Sequence, residues 1–252
     1  ERMEKIRKGI KSALFYPVTL IVVTILIVWA MLIFVVPTFQ EMYAGMGIEL
    51  PGPTQMIINA SDWIMDGGNF MRLVGTIVGV IVIHRLLMDK TYPYRASIHG
   101  FMLKLPLFGN IIIKSTVARL SLLMANLFAA GIGVEEILKV ATNATTNTKF
   151  IESMERINDR VVTGADLSEL FAEESATFPM ELSQLIKVGE RTGNMDEMLA
   201  SIARYYQEEF ETVVSGLTTI IEPIMIVFVG GMIGVMVVAL YLPIFSAGDA
   251  FA

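Results

Sequence analysis

The chain has 252 residues, 54% of them hydrophobic and 17% charged, with a net charge of −6. Soluble domains carry nearer a quarter charged residues, so part of this chain is expected in lipid. Cysteine is absent, which excludes disulfides, cysteine-ligated zinc, iron–sulfur clusters and thiol chemistry, and the acidic balance gives no sign of nucleic-acid binding.

Residues 1–11 carry Arg2, Lys5, Arg7, Lys8 and Lys11 and read as the end of a preceding cytoplasmic domain. Residues 12–36 then run without a charge. At helical rise they reach about 37 Å, more than a bilayer core requires. The run is too long for a signal peptide and no A-x-A-like site follows it. Residues 37–69 hold no Lys or Arg, only Glu41, Glu49, Asp62 and Asp66, and read as an outer loop. A second span is expected over 70–88, with Arg72, His84 and Arg85 near its ends, where long basic side chains can reach the headgroups. Residues 89–216 hold twelve of the nineteen basic residues, 217–245 form a third span, and 246–252 a short tail. The positive-inside rule places the N-terminus and 89–216 in the cytoplasm, and the loop and tail in the periplasm.

Glycine and proline punctuate the 89–216 block into six helices. "PLFG" precedes one from about Asn110 to Ala130, which Gly131 and Gly133 end. Its stretch "LSLLMANLFAAGIGV", Leu120 to Val134, is uncharged but short for a bilayer, and is expected as a buried bundle helix. The second runs from Val134 to about Ala144 and opens with Glu135 and Glu136, where the helix dipole favours acids. The third covers Thr148 to Val162, stopping at Gly164. A fourth runs to Ser175, and a fifth from Pro179 to Arg191, stopped by Gly193. "NMDE", Asn194 to Glu197, reads as a capping box opening a long sixth helix. The expected fold is therefore an all-α, polytopic membrane protein with three transmembrane helices and a cytoplasmic antiparallel six-helix bundle.

A shift of 206 positions lays the first span on the third without a gap. "SALFYP" meets "TTIIEP" and "FVVPTF" meets "LYLPIF", so Pro17 aligns with Pro223, Pro37 with Pro243 and Phe39 with Phe245. This points to duplication. The entry prolines either open each helix, where a missing N–H costs little, or kink one that began earlier in the cytoplasm. The second prolines are expected to end the helices at the far interface. Because copy two has a cytoplasmic block before its span, a further cytoplasmic domain of roughly 110 residues is expected upstream.

Little in the chain suggests catalysis. There is no phosphate-binding G-x-x-x-x-G-K-[ST], and His84 and His99 lack ligand-like spacing. Acid pairs such as Glu173–Glu174 and Glu208–Glu209 read as solvated helix faces. No catalytic residue, metal or cofactor is expected. Glu222 either reaches headgroup water or makes a polar contact with a neighbouring helix or subunit. Gly75-x-x-x-Gly79 and Gly230-x-x-x-Gly234 offer places where membrane helices could approach closely.

Several blocks resemble the PilC/GspF family of inner-membrane platform proteins of type IV pilus and type II secretion machines. They are "IKSALFYP", "PLFGNIIIKSTVARL", "FAAGIGVEEIL", "FPMELSQLIKVGERTGNMDEML" and "EPIMIVFVGGMIG…LYLPIF", in that order. The resemblance covers essentially the whole chain and corresponds to the family's second half plus the end of the first domain. It implies a non-catalytic, homo-oligomeric platform that couples a hexameric assembly or retraction ATPase to pilins, beside inner-membrane alignment proteins and membrane lipids. Gly189, Glu190 and Gly193 match the family's G-E-x-[ST]-G turn. Pro17, Glu222 and Pro223 match its span entries, and Phe178 and Pro179 its "FP" block. "AGIGVEEIL" departs from the more usual "SGVPLLEAL", losing a proline and gaining acid at Glu135 and Glu136, candidate contacts for the ATPase. "FAAG" and "ALYLPIF" look more pilus-like than secretion-like. A secretion platform is the alternative reading, and a small transporter a remote one.

Overall fold

Helices make every regular element in the computed structural model, which describes residues 2–46 and 50–250. The chain divides into two compact units, residues 1–11 with 86–216, and residues 12–85 with 217–252.

The second of these units is built from apolar helices. α1 spans Arg2–Ala30, a five-residue π turn follows at Met31–Val35, and α2 covers Val36–Met46. Pro17 lies inside α1, so of the two sequence readings the one in which the helix starts earlier holds. Pro223 likewise lies inside α11, Met195–Ala250. The second prolines do not end their helices. α2 continues past Pro37, and α11 continues past residue 243 to Ala250. At Pro37 the π turn supplies the reason. Its wider ring, with the Val36 N–H reaching back to Met31 O, makes room for a residue that would crowd an ordinary turn. Of the expected tail, residues 251–252 lie outside the described residues.

The segment expected as an outer loop is not irregular. It contains the rest of α2 and all of α3, Gly52–Met65, which opens with Pro53 in its first turn, where no N–H is needed. α3 lays Thr54, Ile58 and Ser61 along one buried face, and Ile58 packs with Leu32, Val36, Met236 and Leu240. α4, Gly67–Lys90, buries none of its residues within the chain.

The other unit contains the six helices expected from glycine and proline, and one more. They are α6 (Pro106–Ala129), α7 (Val134–Asn143), α8 (Thr148–Val161), α9 (Leu167–Glu173), α10 (Met180–Thr192) and the first part of α11. Gly131, Gly164 and Gly193 take positive φ, the left-handed stops that the sequence promised. The additional helix is α5, Tyr92–Lys104. Its sequence "YPYRASIHGFMLK" has no clear apolar stripe, so periodicity alone does not reveal it.

Among the described residues, four helical stretches are long and apolar enough to cross a membrane: Phe15–Gly45, Gly67–Lys90, Pro106–Ala129 and Met195–Leu242. The third is α6, whose Val117, Leu120, Met124 and Ala125 are buried in one core with Ile137, Leu138, Phe150, Met154, Leu182 and Leu199. That cover makes α6 a bundle helix, as its short uncharged run had suggested.

α6 begins at a tight corner with α5. An ideal Cβ on Gly109 would stand 2.1 Å from the Leu103 carbonyl oxygen, so only glycine fits.

Candidate functional site

The turn "GERTG" joins α10 to α11, and each of its three family-matching residues has work inside the bundle. Gly189 is buried, and a Cβ there would meet Met195 Sδ at 3.0 Å and Met195 Cα at 3.1 Å. The absent side chain lets α10 and the start of α11 close on each other. Gly193 has φ 76°, which reverses the chain after α10 without the steric cost a Cβ would add.

Glu190 reaches across to a different helix. Its Oε1 accepts from the Leu167 N–H at 2.6 Å, and its Oε2 from the Ser168 N–H at 3.2 Å. These are the first two residues of α9, whose own N-cap, Asp166, makes no side-chain capping bond. A carboxylate from α10 thus satisfies two of the donors that a helix start leaves open, and sits where the dipole favours negative charge. The sequence separation of 22 and 23 residues hides this cap from any local motif.

Phe178 is 1% exposed and meets Phe150 and Phe171 edge-on, with centroids 5.2 and 4.8 Å away. Edge-to-face packing suits the ring quadrupoles. Pro179 follows as the N-cap of α10. The "FP" block is therefore a core fixture and a helix start. Beside it, the acid pair Glu173–Glu174 is not merely solvated. Glu174 accepts from Arg156 Nε at 2.6 Å and Nη2 at 2.5 Å, and Glu173 pairs with Arg160. The Arg156 guanidinium holds the Glu174 carboxyl below the usual carboxylate range. Glu209, of the other acid pair, bonds Lys114 at 2.6 Å.

His99 on α5 joins the start of α8. Its Nδ1 accepts from the Thr148 N–H at 3.1 Å, which requires the neutral ring. Burial, with the Arg95 charge adding to it, lowers the imidazole pKa below 6.5. Tyr206 donates to Glu181 Oε2 at 3.1 Å, and its phenol pKa is raised, first by burial.

Apart from Pro17, the remaining candidates are on the surface or away from neighbours. Glu135 and Glu136 are exposed in the first turn of α7, with Glu135 paired to Lys139 at 2.5 Å. Such an exposed i,i+4 pair adds about 0.3–0.5 kcal/mol, which leaves the face available. Glu222 and Pro223 are exposed while Pro17 is buried. A Cβ added at Gly75, Gly79, Gly230 or Gly234 would meet nothing within 4 Å, so neither glycine pair makes a close helix contact among the described residues. A groove of about 630 Å³ lies along α5, with Lys104, Lys149, Phe101 and Thr177 on its walls. Among the described residues lining it, the titratable ones are Lys104 and Lys149. Among the described residues, no three His, Asp or Glu stand close enough to hold a metal.

A bundle punctuated by these turns, joined in one chain to proline-bearing apolar helices, defines a class that known proteins share. The family described as "Type II secretion system (T2SS), protein F" matches residues 120–243. The chain is 35% identical to the "Type IV pilus assembly protein PilC" of Pseudomonas aeruginosa, over 99% of this chain and 66% of that protein. It is 34% identical to the protein of the same name from Myxococcus xanthus, over 99% of this chain and 59% of that one. It is 32% identical to the "Type II secretion system protein F" of Pseudomonas aeruginosa, over 98% and 60% respectively. The chain belongs to the PilC/GspF family, and it spans roughly three fifths to two thirds of the length of these relatives.

Proposed function

We propose that this chain is the larger part of an inner-membrane platform protein of a type IV pilus machine. The platform couples a cytoplasmic hexameric assembly or retraction ATPase to the insertion of pilins into the filament, or to their removal. The observation that carries this reading is the similarity, along 99% of this chain, to pilus assembly proteins at 35% and 34% identity. Charge distribution supports a topology in which residues 89–216 and the N-terminus are cytoplasmic and the C-terminus periplasmic. In this reading the protein is not an enzyme. It holds partners in place, as a bundle whose motif residues cap and close its own helices can do, and it does so as a homo-oligomer.

The contact for the ATPase is assigned to the exposed acidic start of α7, Glu135 and Glu136. Glu190 enters that contact only indirectly, since its carboxylate is committed to α9. Deleting the gene, with complementation by the intact protein as the control, tests the pilus reading. Loss of surface pili with secretion unaffected is the expected result. Loss of secreted enzymes with pili intact would overturn it in favour of a secretion platform, for which the 32% identity to the type II secretion protein is the supporting observation.

A further inference from the structure

Three hydroxyls in the apolar unit donate to main-chain carbonyls of distant helices. Ser61 bonds Leu32 O, Thr54 bonds Ala239 O, and Tyr43 bonds Leu240 O. Side-chain to backbone bonds between helices are a minority of protein hydrogen bonds, and three at one place call for a reason.

The prolines give it for two of them, those of Thr54 and Ser61. In an α-helix the carbonyl of residue i−4 accepts from the N–H of residue i. Residue 243 is proline and has no N–H, so the carbonyl it leaves unpaired is that of Ala239. That is the carbonyl Thr54 bonds. Around Pro37 the helix is in its π turn, where the acceptor moves to residue i−5, and the Val36 N–H accordingly goes to Met31 O. The carbonyl that Pro37 leaves unpaired is therefore Leu32, the one Ser61 bonds. Thr54 and Ser61 are 1% and 0% exposed, so water does not replace them. Both hydroxyls come from one face of α3, with Ile58 between them on Leu32, Val36, Met236 and Leu240.

We infer that α3 is a latch over two proline hinges. Its Thr54 and Ser61 hydroxyls stand in for the amide donors missing at Pro243 and Pro37, one in each copy of the repeat. With α3 seated, both helices run on through their prolines as continuous rods. With α3 displaced, each loses a bond at one point and gains a place to bend, without unwinding elsewhere. The inference concerns this unit alone and does not depend on which machine the protein serves.

The test is a crossed set of substitutions in the intact protein in nanodiscs. T54V keeps the side-chain shape and removes the hydroxyl, and should lower the unfolding midpoint by about 2–4 °C. T54S should match the unsubstituted protein. In a P243A background, where residue 243 can again donate to Ala239 O, the T54V loss should shrink by half or more. In a P37A background it should not. S61A should show the mirror pattern, relieved by P37A and not by P243A. Equal losses in both proline backgrounds, or no loss from T54V and S61A, would overturn the inference. A second measurement leaves the prolines untouched. In T54V/S61A, amide exchange over residues 30–38 and 238–246 should quicken by about tenfold while residues 18–28 stay unchanged. Unchanged exchange, or acceleration throughout the chain, would equally count against the latch.

Discussion

Replacing Glu190 by alanine separates a structural role from a partner contact. α9 has seven residues, too few to hold its own start, yet it contributes Leu167, Leu170 and Phe171 to the core. Glu190 supplies acceptors to two of its amides at 2.6 and 3.2 Å. Removing a capping acceptor costs about 0.5–2 kcal/mol, and the carboxylate at a helix start adds about 0.3–1 kcal/mol. Because the side chain is exposed, water recovers part of both, leaving about 1–2 kcal/mol. For a folded unit of this size that lowers the midpoint by roughly 2–8 °C. E190Q keeps one oxygen acceptor and should fall between. Thermal unfolding of the intact protein reads the loss, and hydrogen exchange at Leu167 and Ser168 locates it. An E190A protein that unfolds with the original, with those two amides still protected, would refute the reasoning. The consequence for binding is specific: E190A and E190K should weaken ATPase capture together and only in step with their instability.

E135K/E136K should behave oppositely, weakening capture of the assembly ATPase while the unfolding midpoint stays within about 2 °C, since surface changes are generally small. Undiminished capture would remove α7 as the contact. G109A places a methyl 2.1 Å from the Leu103 carbonyl, a backbone atom that no rotamer change can move, and should cost about 3 kcal/mol or more. An unaltered midpoint would mean the α5–α6 corner can open freely. For His99 the folded pKa lies below 6.5, so the neutral ring is favoured by folding. Its contribution is complete above 6.5 and is lost as the pH falls from there through the lowered folded value. Denaturant titrations of the intact protein between pH 7 and 5 should show that slope, and H99N should flatten it.

How much the sequence disclosed depended on whether a signal was local. The six bundle helices were legible because Gly131, Gly164 and Gly193 mark their ends and Pro179 a beginning. α5 lacked an apolar stripe, and α3 was hidden in a loop recognised only by its charge. The far prolines misled. Pro37 and Pro243 read as terminators because proline removes a donor, and nothing nearby showed that Ser61, 29 residues from Leu32, and Thr54, 185 from Ala239, replace it. The candidate residues Gly189, Glu190 and Gly193 stand out by resemblance, but their tasks lie in contacts that no local pattern carries. Gly189 answers to Met195 and Glu190 to α9, both contacts made by the turn closing rather than by spacing along a helix.

The apolar length of α6 has a consequence for biogenesis. A ribosome that has just released Ala129 has delivered a 24-residue helix able to cross a bilayer, before α7 to α11 exist to cover it. Whether that helix enters lipid is decided by the order in which its companions arrive. A topology reporter fused directly after Ala130 is expected to be carried partly to the outer side, whereas one fused after Gly193, with α7 to α10 already made, should remain wholly inside.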